Sequence, residues 1–233
     1  IASITLAIME SGDRKTSQLQ LDRYWRGGIS PGHWCEVARR GAKAIAEYRD
    51  HPLASSLAKL WFGKGQTRFA RSVEELIIAK NDFKHDRGPK IEEEYGSAVE
   101  NVGVLLRECM KDLAFFVEHP IRLVRDIDAI RGSRSVTVLA LRYTGDHPAW
   151  PQERLEYSEP LIKNDLYIEI GPRRWVSLFP FISVHNCPSC KTRETYFVDK
   201  WEGDSKTAFL KSFERGHTED KLEVGQGLAA WPS

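Results

Sequence analysis

The feature that most constrains how this chain can fold is a change of hydrophobic period at His119-Pro120. Before that point, apolar residues recur at three- and four-residue spacing, which gathers them on one side of a helix. After it they alternate with polar residues, which puts them on one side of a strand. A chain whose period changes once builds a helical part and then a sheet, rather than alternating βαβ units. The expected class is α+β, with a helical domain over residues 1–120 and an antiparallel β-rich domain over residues 121–233. A chain of 233 residues can bury a substantial core as one large or two small domains.

Local signals divide the helical part. Residues 1–10 fit either a helix end or a strand, and residues 21–28 a short helical turn. Ser30-Pro31 opens a helix, with Ser as cap and Pro at the first position, where its missing N–H costs nothing. Trp34, Val37, Ala38, Ala42, Ile45 and Ala46 give residues 31–49 an apolar face, broken at Asp50-His51-Pro52. Leu53, Leu57, Leu60 and Trp61 mark a short helix, followed by a loop at 63–67. Residues 68–85 form a longer helix with Phe69, Val73, Leu76, Ile77, Lys80 and Lys84 to one side, stopped by Gly88-Pro89. Residues 91–119 make the longest helix, whose first turn carries Glu92, Glu93 and Glu94, as the helix dipole favours. Tyr95, Ala98, Val99, Val102, Leu105, Leu106, Met110, Leu113 and Phe116-Val117 predict a broad buried stripe along it.

In the second half, residues 121–128, 135–143, 165–170, 174–184 and 194–201 read as strands rich in Val, Ile, Tyr, Phe and Trp. They predict an antiparallel sheet or small barrel of five or six strands. Residues 146–160 read as a polar loop, 206–217 as a last strand or short helix, and the tail from Thr218 as loosely held.

Composition narrows the function classes. Residues 1–119 carry 18 Lys/Arg against 17 Asp/Glu, and residues 120–233 carry 16 of each, so any contact with nucleic acid must come from a local patch. Cys35, Cys109, Cys187 and Cys190 include one close pair, which argues for a reducing, cytoplasmic setting over a disulfide scaffold. No apolar run approaches the roughly 20 residues that span a bilayer, so no membrane partner is expected. The N-terminal apolar stretch lacks a basic lead, and a first residue of Ile leads us to expect a chain trimmed or excised from a longer protein. Gly63-Lys64-Gly65-Gln66-Thr67 lacks the spacing of a phosphate loop.

One local patch does stand out. From Lys59 to Lys90 there are eight Lys/Arg against four Asp/Glu. Within it, Asn81 and His85 are one helical turn apart and share a face. An imidazole with an ordinary pKa of about 6.5 can act as general acid or base near neutrality. A nearby cation stabilises a pentacovalent phosphate. Those parts suit metal-independent RNA cleavage with the 2′-hydroxyl as internal nucleophile. His85 and Asn81 would be catalytic with Lys80 as phosphate clamp; Lys84, Arg87, Lys64, Arg68 and Arg71 would hold backbone phosphates. The plainer reading is that His85 is a cation at a helix C-terminus, where the dipole favours one.

Four helices with Lys80-Asn81-Asp82-Phe83-Lys84-His85 near the end of the third resemble the HEPN domains of prokaryotic defence and toxin systems, over residues 31–119. That family's motif is an Arg, roughly four to six residues, then His, often with a polar residue after the Arg. Here Lys80 stands in the Arg position, which keeps the charge and loses the planar multi-donor guanidinium. The resemblance implies a four-helix bundle, a homodimer formed through this helix, an RNA substrate and a single ribonuclease site made of two motifs. It also implies a possible antitoxin or further-domain partner. Many members are catalytically silent dimerisation or sensing modules.

Cys187-Pro188-Ser189-Cys190 is a knuckle-like turn between two predicted strands. Such turns supply two zinc ligands, and His217 and His185 are the nearest complements for a structural Zn2+ site. A plain strand connection and a redox pair are the other readings. A zinc-stabilised module binding single strands through aromatic residues of the β half (Tyr143, Trp150, Tyr167, Trp175, Tyr196, Trp201) is a third function class.

Overall fold

A computed structural model of the protein describes residues 1–11, 28–46, 52–85, 87–144, 149–171, 173–202, 207–221 and 224–226. Most of the expected turn at 21–28 and of the break at 50–52, and the end of the tail, lie outside the described residues. The protein is a mixture of helix and sheet, with two antiparallel sheets. The helices are α1 (Ala2–Ser11), α2 (Pro31–Ile45), α3 (Pro52–Trp61), α4 (Arg68–Lys84) and α5 (Glu92–Asp112), followed by a 3-10 helix at Ala114–Glu118. Among the described residues, no helix is long and apolar enough to cross a membrane.

Residues 1–10, open in sequence to helix or strand, are helical and central. Leu6 and Ile8 are fully buried, Ile4 and Ala2 nearly so, and Thr5 settles its hydroxyl on the Ile1 carbonyl at 2.8 Å. With Ala2, Ile4, Leu6 and Ile8 all turned inward, α1 packs against α2, α3 and the sheet. Helix α2 begins as the sequence indicates. The Ser30 hydroxyl accepts from the His33 N–H at 3.2 Å, and the His33 ring accepts the Ser30 N–H in return.

The first sheet has strand order β3-β2-β1-β4-β5, from β1 (Ile121–Ala129), β2 (Val136–Arg142), β3 (Gln152–Tyr157), β4 (Leu166–Gly171) and β5 (Arg174–Ser177). The second has order β6-β7-β8-β9, from β6 (Ile182–Asn186), β7 (Arg193–Glu202), β8 (Thr207–Ser212) and β9 (Thr218–Lys221). The expectation of five or six strands is corrected to nine among the described residues. The single run expected at 174–184 is two strands, because the chain leaves one sheet after Ser177 and enters the other at Ile182. The expected loop at 146–160 contains β3, an edge strand in which Gln152, Arg154 and Glu156 pair with β2 while keeping charge toward water. Inward-facing Glu153 instead meets Arg122 at 2.8 Å, and Arg122 also pairs with Glu169.

A single buried cluster runs through both halves. It joins Leu6, Ile8, Ile45, Leu53 and Leu57 of the helices to Leu123, Leu166, Ile168 and Val176 of the first sheet and Tyr196, Val198 and Leu210 of the second. The opposite face of the first sheet holds a smaller cluster of Val124, Val138, Ala140, Tyr157, Tyr167 and Trp175.

Helix α5 departs from its expected burial. Only Cys109 is buried on it, whereas Tyr95 and Leu106 are half-exposed and Val99 and Met110 are two-thirds exposed. The helix lies chiefly against α4, and the outer half of its apolar stripe stays exposed among the described residues.

Candidate functional site

Helix α4 places the His85 pair. Its N-terminus is capped by Thr67, whose hydroxyl accepts from the Ala70 N–H at 3.2 Å. At the other end His85 is the C-cap, its backbone N–H donating to the Asn81 carbonyl at 3.0 Å. The two residues therefore stand one turn apart along the chain, with Asn81 half-buried and His85 exposed. The chain then folds back. The Arg87 N–H donates to the Asp82 carbonyl at 2.8 Å, and the Arg87 side chain lies 3.3 Å from the Asp82 carboxylate. Gly88 passes so near Phe83 that a Cβ there would stand 3.2 Å from the ring.

The cations expected around His85 do not all gather there. Lys80, Lys84 and Arg87 are exposed near it. Lys64, Arg68 and Arg71 lie toward the opposite end of α4, about 20 Å away at the helix rise of roughly 1.5 Å per residue. Arg68 is also engaged, bridging α4 to α5 through Asp112 and Glu108, the latter at 2.9 Å. Consecutive sequence along a helix spreads charge over its length, so the local excess is not a single patch.

The apolar side expected for α4 is correct, and it lines a cleft of about 870 Å³. Val73, Leu76, Ile77, Lys80 and Lys84 form one wall; Ile182, Phe197 and Lys211 of the second sheet, and Phe213 in the turn after β8, form part of the other. Phe213 is 60% exposed and rests on Phe197 with ring centroids 4.8 Å apart. Of the aromatic residues expected as a base-stacking surface, Tyr167, Trp175 and Tyr196 are core. Tyr143 and Trp150 stack on each other at 3.9 Å.

The second constellation is a compact group of Cys187, Cys190, Glu194 and His217, whose donor atoms all lie within 4.8 Å of one another and which could hold a metal ion. Two turns assemble it. In the first, the Cys187 N–H donates to the Thr192 carbonyl at 2.7 Å and the Lys191 N–H to the Cys187 carbonyl at 2.9 Å. In the second, Gly216 takes a left-handed backbone (φ +68°), and Glu214 accepts from the Thr195 N–H at 3.0 Å. That contact lays residues 213–217 over the cysteine turn. Burial resists ionisation of Cys187, yet the nearby Tyr196 hydroxyl, the Cys190 and Ser189 N–H groups and the Cys190 thiol favour the thiolate and bring the thiol down to about 6. Burial likewise opposes the Glu194 charge, and the Cys190 thiol, the nearby Ser212 hydroxyl and the Arg215 guanidinium, with His217 beside them, hold that carboxyl at about 2.

Three of the four expected ligands thus come together. His185 does not. Its Nε2 is 2.9 Å from the Ser183 hydroxyl, its ring lies against Tyr196, and it stands outside the group. Glu194 was missed, although a signal existed: it falls in phase with Tyr196 and Val198 on the buried side of β7, where an apolar residue is the norm. No family model matches the chain, and neither curated proteins nor solved structures give a match to it.

Proposed function

We propose that this chain is a HEPN-like, RNA-directed module of a prokaryotic defence or toxin system that works as a homodimer and cleaves RNA without a metal. The observation that carries the reading is the placement of Asn81 and His85 one turn apart at an exposed helix end with Lys80, Lys84 and Arg87 beside them. In this reading the His85 imidazole takes the proton of the 2′-hydroxyl as it attacks the adjacent phosphorus. The His85 of a second copy returns a proton to the departing 5′-oxygen, leaving a 2′,3′-cyclic phosphate. Lys80 neutralises the non-bridging oxygens in the transition state, and Asn81 orients the phosphate or the imidazole. The unpacked face of α5, with Tyr95, Val99, Leu106 and Met110 at helical spacing, supports a second copy there. The aromatic and lysine-lined cleft beside Lys80 supports a strand passing over it. The Cys187 group is read as a structural Zn2+ site.

Lys80 in place of the family's Arg favours a second reading, a non-catalytic dimerisation or sensing module. Structured RNA incubated with the purified chain in EDTA separates the two. Cleavage by the wild type that disappears in His85→Ala is expected for the enzyme. A pure dimer that leaves RNA intact refutes the catalytic reading and leaves the module.

A further inference from the structure

We infer that Glu194 is the fourth zinc ligand, completing a closed Cys187–Cys190–His217–Glu194 site, and that Arg215 is the counter-ion of the loaded site. The inference rests on the structural-zinc reading above and adds the ligand set and the charge balance.

Geometry comes first. Zinc takes thiolate, imidazole and carboxylate donors at about 2.0–2.3 Å, so neighbouring donors of a tetrahedron are roughly 3.3–3.8 Å apart. Here Cys187 Sγ is 3.2 Å from His217 Nδ1, Cys190 Sγ is 3.0 Å from Glu194 Oε1, and His217 Nδ1 is 3.2 Å from Glu194 Oε1. These three pairs need to ease apart by only a few tenths of an ångström to admit the ion, and all the donors lie within 4.8 Å of one another.

Burial supplies an independent reason. Glu194 is 1% exposed, and its Oε2 is buried with no hydrogen-bond partner among the described residues. A buried carboxylate whose second oxygen has no hydrogen bond is costly, and a dication held at Oε1 offsets the charge that burial penalises. Two sulfur donors select zinc over the hard cations calcium and magnesium, and four protein donors leave no open position for water, which makes the site structural.

Charge supplies the last step. Two thiolates and a carboxylate around a dication, with a neutral imidazole, leave one net negative charge. Arg215 donates to Glu194 Oε1 at 2.9 Å and to Cys190 Sγ at 3.2 Å, and it is fixed by Thr192 at 2.6 Å. It cannot ligate a metal, so its place is that of a compensating partner outside the ligands. The ion would tie the β6–β7 turn to the β8–β9 turn, which also carries Phe213 into the cleft beside Lys80.

The test uses the full chain. Zinc content is measured by mass spectrometry, affinity by chelator competition, and the donor set by the cobalt(II) spectrum of the wild type, which needs no substitution. Expected are one zinc per chain, a tetrahedral cobalt spectrum with thiolate charge transfer, and loss of metal in Cys187→Ser. Glu194→Gln should bind at least about tenfold more weakly, and Arg215→Met should keep the metal but bind about 10–100-fold more weakly. A wild type without zinc, or with a Cys187–Cys190 disulfide instead, overturns both this inference and the zinc reading. A zinc-loaded wild type whose affinity is unmoved by Glu194→Gln overturns the four-ligand assignment alone. Unchanged affinity in Arg215→Met overturns the counter-ion role.

Discussion

Replacing Met110 by Asp tests whether α5 is an interface. Met110 is 67% exposed, with Tyr95, Val99 and Leu106 on the same side of the helix. Fully burying a Met side chain is worth about 1.5–3 kcal/mol, so covering its exposed two-thirds contributes about 1–2 kcal/mol. A two-fold interface uses each residue twice. Met110→Asp should therefore cost a dimer about 2–4 kcal/mol, before any penalty for desolvating the new carboxylate. That weakens dimerisation roughly 30- to 700-fold. Sedimentation velocity over a concentration series reads the dissociation constant directly. Ile162→Asp is the control, since Ile162 is also exposed but lies in the loop before β4. It should leave the constant unchanged. A wild type that stays monomeric at every concentration would refute the argument, as would a dimer that Met110→Asp leaves intact or that Ile162→Asp weakens equally.

Two further outcomes follow from the interior. Ile168 is fully buried in the cluster that joins helices to both sheets, so Ile168→Ala should cost about 2–5 kcal/mol in urea unfolding, with helix and sheet probes shifting together. In metal-free protein, burial pushes the Glu194 carboxyl upward, but its hydrogen bonds outweigh this and hold it at about 2, against an ordinary 4.5. The unfolded chain then takes up the proton first, so this stabilisation is complete above about pH 4.5 and is lost as pH falls toward 2. The urea midpoint in EDTA should decline through that window, and Glu194→Gln should flatten the decline.

What the sequence made legible was local. The Ser30 cap, the apolar side of α4 and the one-turn spacing of Asn81 and His85 each depend on residues within a few positions of one another, and helix geometry fixes the rest. What it hid depends on distant partners. The α5 stripe has the period of a buried face, but burial needs a partner, and none packs on its outer side among the described residues. Strand β3 carries apolar residues at only two of its three inward positions, Leu155 and Tyr157; the third is Glu153, which faces inward to meet Arg122 from β1. At the metal group, the cysteine pair and His217 could be singled out by type. Glu194 could be found only by noticing a carboxylate on the buried side of a strand, and His185, equally plausible by type, is taken up by Ser183.

The burial of α1 has a consequence for synthesis. This helix buries Ala2, Ile4, Leu6 and Ile8, and part of what covers it is β5, made from Arg174–Ser177. At translation rates of about 5–20 residues per second, Leu6 and Ile8 wait on the order of ten seconds or more for that partner. During that interval the nascent chain carries a greasy segment it cannot hide, so its folding yield should depend on chaperones that hold such segments, and on translation speed between α1 and β5 more than elsewhere.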